Sequence, residues 1–260
     1  MKLNHAPDGF QRFVEQVLDE AKRLGWSKPV YLTEWNSTPS QQDLLNDTCF
    51  KSCYIAKSIM ESYDRLDSFG YWSLTDWMSE APLPGELFFG GLGMFTVGGI
   101  PKAAYHVFRM LRRLGDELLG QGPGWFITSG NGGYQVMLYN YRHFSSLYAM
   151  GERFDMTFHE RYTPFSPEQA MDAHLRIDDV EDGKYLVREM ILSRRHGSAF
   201  DIWNSMGGLE PESQEELDYI KNRAIPAMRK FTVEASNHTL ELDAWLDMLE
   251  VRLLVIHLLS

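Results

Sequence analysis

A chain of 260 residues with 36 acidic against 25 basic side chains, a formal charge of −11, is poorly suited to a phosphate backbone, which rewards clustered Lys and Arg. Hydrophobic residues at 44% and aromatics at 13%, with 7 Trp and 15 Phe, exclude a disordered or low-complexity chain. No run approaches the roughly 20 apolar residues of a membrane span, and "MKLNHAPDGF" lacks the apolar core of a signal peptide, so the expected setting is cytoplasmic.

From Asp8 to Leu24 the apolar residues Phe10, Phe13, Val14, Val17, Leu18 and Ala21 recur at spacings of three and four. That spacing predicts an amphipathic helix capped by Asp8 and stopped by Gly25. "PVYLTEW", residues 29–35, is short and nearly all apolar, the pattern of a strand covered on both faces. A second helix is predicted over 44–63 and a second strand, "SFGYWSLTDW", over 68–77. A loop rich in Pro and Gly, 81–99, leads to a third helix over 102–114. Cys49 and Cys53 stand four apart on the second helix, a poor geometry for a disulfide, and read as free buried thiols.

After about Glu117 the pattern changes. "GWFITS", "GNGG" and "YQVMLYNY" read as a hairpin whose glycines supply the turn, and no Lys or helix start follows them as a phosphate loop would need. Further strands are predicted at "HLRIDDV", "KYLVREMIL", "RKFTVEAS", "HTLELDAWL" and "EVRLLVIHLL", interrupted by a short helix, "PESQEELDYIKN". Arg194 with Arg195, and Arg109 with Arg112 and Arg113, read as solvated faces or salt-bridge partners.

Helix, strand, helix, strand, long loop, helix is the grammar of parallel βα units. The fold expectation is therefore α/β followed by all-β. Residues 1–116 would be the last βα units of a (β/α)8 barrel and 117–260 an antiparallel β-sandwich. Two strands cannot close an eight-stranded barrel, so the chain reads as the C-terminal part of something larger, with open edges that invite self-association.

In such a barrel the chemistry sits at the C-terminal ends of the strands, where Glu34 and Asp76 fall. Glu34 stands between Thr33 and Trp35, one residue before Asn36: a carboxylate beside an indole and an amide. The set suits a glycosidase nucleophile, which works with a second carboxyl about 5 to 5.5 Å away. The same local pattern equally fits a helix cap or the partner of an Arg. On the second strand Tyr71, Trp72 and Trp77 read first as core, and Glu80 beyond it as solvated; their place at the same end of the barrel is what raises them. The eight His are scattered, which points to no metal or organic cofactor.

"YLTEWNST", "LLNDTCFKSCYIAKSIMES", "FGYWSLTDWMSE", "FFGGLGMFTVGGIPKAAYHVFRML" and "RRHGSAFDIWNSMG" together resemble, in order, the C-terminal half of glycoside hydrolase family 39, on the side of its bacterial β-xylosidases. The resemblance implies that 29–36 correspond to the seventh barrel strand, 68–77 to the eighth, and the tail to the family's accessory sandwich. By the same carry-over Glu34 is the catalytic nucleophile, Trp72 and Trp35 are site aromatics, Glu80 reaches sugar hydroxyls and Asn36 supports. The ligand would be xylose or a xylo-oligosaccharide. Two departures stand out: Phe89 occupies a position where the family often has His, and no Asn-Glu pair, the family's acid/base motif, occurs in the 260 residues. The resemblance therefore implies a fragment inactive alone. It extends to the sugar-sensing, non-catalytic modules of AraC-type transcription regulators, a second functional expectation.

Overall fold

In the computed structural model, which describes residues 3–152 and 156–259, Gly9–Arg23 form α1. Asp8 stands at its N-cap, but its carboxylate takes the Arg12 guanidinium at 2.5 Å instead of a backbone N–H. Gly25 ends the helix with φ at +71°, its N–H donating to the Lys22 carbonyl. A side chain there would be strained, which is why glycine is the stop.

Tyr31–Trp35 form β1, paired in parallel with β2, Ser68–Tyr71. The expectation that β1 is covered on both faces fails: Tyr31, Thr33 and Glu34 are exposed and only Trp35 is buried. Among the described residues β2 is its one strand neighbour, so its other edge and much of its surface lack cover there. The same shortage leaves Phe13 and Val17 of α1 exposed, with Val14 alone buried.

The helix predicted over 44–63 divides. Leu44–Asp47 make a 3₁₀ turn, Thr48 is extended, and α2 runs Cys49–Met60. α2 is buried on nearly every side and packs against α3, Ala103–Leu111. Cys49 and Cys53 are free and buried in it, and burial raises both thiol pKa values. The strand predicted over 68–77 ends at Tyr71, and Asp76–Met78 instead form a 3₁₀ turn capped by Thr75.

The remaining strands are β3 (Glu117–Gly122), β4 (Trp125–Gly130), β5 (Gly133–Tyr139), β6 (Met171–Asp178), β7 (Gly183–Leu192), β8 (Ala227–Ala235), β9 (Thr239–Leu246) and β10 (Val251–Leu258). Six form one antiparallel sheet in the order β3-β4-β5-β10-β7-β8; β6 pairs with β9 in a second. The β4–β5 turn is Asn131-Gly132, both at positive φ, as a two-residue hairpin of matching twist requires. β10 lies at the centre, and its sides serve different cores. Val251 and Leu253 meet α2 and α3, while Leu254 and Ile256 meet Leu175, Ile177, Leu240 and Leu242 from β6 and β9. A strand buried on both faces loses its alternation, hence the run "VRLLVIHL".

Arg194 and Arg195 do pair with acids, Glu168 at 2.9 Å and Asp247 at 2.6 Å. Of the short helices, Ser146–Ala149 form α4 and Ala199–Ser205 form α5, while Gln214–Arg223 form α6 behind a capping box of Ser213 and Glu216. Phe200 and Trp203 of α5 join Phe88, Ile100 and Ile220 in a third apolar cluster. The chain is a mixed α/β structure, and no described helix is long and apolar enough to cross a membrane.

Candidate active site

Side chains alternate along a strand, and at the C-terminal end of β1 this sends Trp35 and Glu34 opposite ways. The Trp35 ring enters the core, its centroid 5.2 Å from that of Phe10 and 5.6 Å from that of Tyr71. Glu34 is left exposed at the mouth of a cleft of about 380 Å³. Asn36, Trp72 and Glu80 line the same cleft, as does part of Trp35, so the five residues singled out from sequence fall around one opening. Asp76 does not join them at the surface: it turns inward, 2% exposed, to Lys102.

Backbone and amide bonds tie the cleft walls together. Trp72 N–H donates to the Trp35 carbonyl at 3.1 Å, and Asn36 Nδ2 donates to the Trp72 carbonyl. Asn36 Oδ1 accepts from Ser37 N–H at 2.7 Å and from Lys51 Nζ, which also donates to Ser37 Oγ. The Glu80 wall has its own anchor in Gln41. Its Oε1 accepts from Ser79 Oγ and Glu80 N–H, both at 2.6 Å, and from Ala81 N–H at 3.0 Å; its Nε2 reaches Glu80 Oε2 at 3.3 Å. One amide thus fixes both the course of that loop and its carboxylate.

Beneath the cleft lies a buried ion network. Asp47 meets Lys102 Nζ at 2.6 Å and Arg161 NH1 at 2.8 Å, and accepts from Gly90 N–H at 2.7 Å. Lys102 also reaches Asp76 at 3.2 Å and the Gly91 carbonyl at 2.8 Å. Burial opposes the charge on Lys102, but the two carboxylates outweigh it and hold its pKa above the usual lysine range. Burial raises the Asp76 pKa against the pull of Lys102. The Arg161 guanidinium sits 4.2 Å from the Phe200 ring centroid and 4.6 Å from that of Phe158. These bonds pin the Gly-rich segment 88–94, in which a Cβ on Gly90 would stand 2.5 Å from the Asp43 backbone. The position where a His was expected holds Phe89, 4% exposed and packed away from solvent. Among the described residues, no group of three or more His, Cys, Asp or Glu is placed to hold a metal ion.

The family model for glycosyl hydrolases family 39 matches residues 5–238. The chain belongs to glycosyl hydrolases family 39. Among its relatives is a β-xylosidase of Geobacillus stearothermophilus, 27% identical over 229 residues, a match covering 88% of this chain and 41% of that protein. A transcriptional regulator of the HTH type from Staphylococcus aureus is 19% identical over 221 residues, 85% of this chain and 28% of its own. The fold resembles the crystal structure of a monomeric β-xylosidase from Caulobacter crescentus CB15, with a TM-score of 0.83 at 19% identity, covering 100% of this chain and 52% of that one. The chain spans about half the length, or less, of these proteins.

Gln41 and Lys51 were missed from sequence. Gln41 sits in an irregular stretch where a glutamine carries no signal, whereas a lysine within the buried run "CFKSCYIA" was a visible anomaly.

Proposed function

We propose that this chain supplies the nucleophile side of a retaining glycoside hydrolase of β-xylosidase type. In this reading residues 1–116 are the closing part of a (β/α)8 barrel, with β1 and β2 its last two strands, and 117–260 the accessory β-sandwich. Glu34 attacks the anomeric carbon, the aglycone leaves, and water then hydrolyses the glycosyl-enzyme. Trp72 offers a ring to the sugar face, Glu80 accepts from sugar hydroxyls, and Asn36 holds the wall that carries Trp72. The observation that carries the reading is the single cleft in which an exposed Glu34, at a parallel strand's C-terminal end, meets Trp72 and Glu80. The 260 residues hold no Asn-Glu pair to protonate the leaving group. General-acid help is typically worth 10²- to 10⁴-fold, so this chain by itself is slow on unactivated xylosides.

The test is intact-protein mass spectrometry after incubation with an activated 2-fluoro-xyloside, whose leaving group needs little acid assistance. Native chain is expected to gain one sugar-sized adduct and Glu34→Gln none. Absence of an adduct on the native chain refutes the nucleophile assignment. The 19% likeness to a transcriptional regulator over 85% of the chain favours a second reading, a sugar sensor. That reading expects saturable xylose binding with no adduct.

Two further outcomes follow. Gln41→Ala frees the Glu80 loop from four of its bonds and is expected to weaken xylose binding by roughly fivefold to tenfold, about 1 kcal/mol or slightly more, in calorimetry. A stability loss without an affinity loss removes Glu80 from the pocket. The exposed Phe13, Leu24, Trp26 and Tyr31, together with the free edge of β1, are expected to drive association of the 260-residue chain. Sedimentation at increasing concentration reads it, and a monomer throughout contradicts the barrel-closing assignment.

A further inference from the structure

Two lysines are fully buried under the cleft, and they are satisfied differently. Lys102 faces carboxylates, Asp47 and Asp76. Lys51, 0% exposed on α2, donates to two neutral acceptors, Asn36 Oδ1 and Ser37 Oγ, the second and third residues after Glu34. The charged groups around Lys51 are Asp43, Asp47 and Lys102. Asp43 gives its Oδ1 to Leu45 N–H at 3.1 Å and to the Tyr148 hydroxyl at 2.6 Å, while Asp47 is taken by Lys102 and Arg161.

A buried ammonium without a carboxylate contact is costly, and an apolar side chain of the same length would fill the space more cheaply. What the amine adds is direction. With Asn36 Oδ1 engaged by Lys51 and by Ser37 N–H, the amide cannot turn over, and Nδ2 is committed to the Trp72 carbonyl. Trp72 is thereby held to the end of β1 from both sides, since its own N–H goes to the Trp35 carbonyl. The chain of contacts runs from α2, behind the site, to the aromatic wall in front of it.

We propose that Lys51 is a positioning residue: through Asn36 and Ser37 it sets the turn after Glu34 and the placement of Trp72. This rests on the proposed function, in that the cleft it shapes is taken to bind and attack a sugar. The same geometry supplies a readout independent of catalysis. Burial, aided by Lys102 and opposed by Asp43 and Asp47, lowers the amine's pKa to about 7, so the charge on its bonds to Asn36 and Ser37 changes near neutrality.

The experiment compares native chain with Lys51→Met in two ways. By NMR, the Asn36 side-chain amide and the Trp72 indole signals are expected to titrate together with a midpoint near 7 in the native chain and to lose that transition in the variant. With the activated 2-fluoro-xyloside, labelling efficiency is expected to fall roughly tenfold to a hundredfold, as for a small misplacement of reacting groups, while the variant melts no lower than native. Signals indifferent to pH in the native chain, or undiminished labelling in the variant, overturn the proposal. If Lys51→Met fails to fold, Ser37→Ala removes one acceptor and keeps the amine. It is expected to move the amide midpoint downward and slow labelling severalfold; unchanged values overturn the proposal as well. A native chain that never labels defeats the nucleophile assignment instead, and the NMR titration then still decides for or against Lys51.

Discussion

Replacing Asp47 by alanine is expected to cost the chain about 3 to 5 kcal/mol of stability, the range for breaking a buried ion cluster by removing one member. A fall in melting temperature on the order of 10 °C should accompany it. The size follows from what is left behind. Arg161 is 0% exposed and loses the carboxylate that faces it, keeping the carbonyls of Phe158, Leu44 and Phe88 and the rings of Phe158 and Phe200. Lys102 keeps Asp76, and Gly90 N–H loses its acceptor. Among the described residues Asp76 meets Lys102 and not Arg161, so a buried guanidinium is left without a carboxylate in a place that water does not reach. Asp76→Ala should cost less, because Lys102 retains the shorter contact to Asp47, 2.6 Å against 3.2 Å. Urea unfolding of the two variants beside native measures both. An Asp47→Ala loss within about 1 kcal/mol, the size of an ordinary hydrogen bond, would mean that segment 88–94 is held by packing alone.

The network bears on how far the site was legible. Glu34, Asn36 and Trp72 were singled out because strand ends in a βα pattern are where such folds place chemistry, and the structure gathers them around one cleft. Asp76 shares that local signature, a carboxylate at a strand end, yet its side chain points to Lys102. The difference is made by a lysine 26 residues away, which no local window contains. The strand run expected to 77 broke at Tyr71 for a similar reason: residues 73–76 bond to segment 92–95 and not to a strand neighbour. β3 escaped notice because Gly120 and Gly122 hide its pattern. A Cβ at Gly122 would stand 2.5 Å from the Trp125 indole nitrogen, so the strand gives up side chains to make room for that ring. β1 failed oppositely, since its apolar residues describe a covered strand and the described chain provides one neighbour.

Lys51→Met is expected to remove a pH dependence of stability that the native chain shows between about pH 7 and 10.5. The sign follows from a lysine whose pKa is lowered on folding, from 10.5 to about 7, chiefly by burial. Above 10.5 the amine is neutral in both states and contributes no difference. Between 10.5 and 7 the unfolded chain holds a proton that the folded chain does not, so each falling pH unit costs the native state up to about 1.4 kcal/mol. Below 7 both states are protonated, and the penalty stays at its full value, on the order of 5 kcal/mol. Native stability minus variant stability should therefore rise with pH through this window and flatten at either end; other titrating groups are common to both chains and cancel. Urea midpoints at pH 7, 8, 9 and 10 give that difference directly, and a flat difference would place the amine in a polar, well-solvated setting. At neutral pH the variant is expected to equal or exceed native stability, since methionine fills the buried space without a charge. A residue kept for stability would behave the opposite way, so a variant that is sturdier yet labels more slowly would tie Lys51 to the cleft and not to the core.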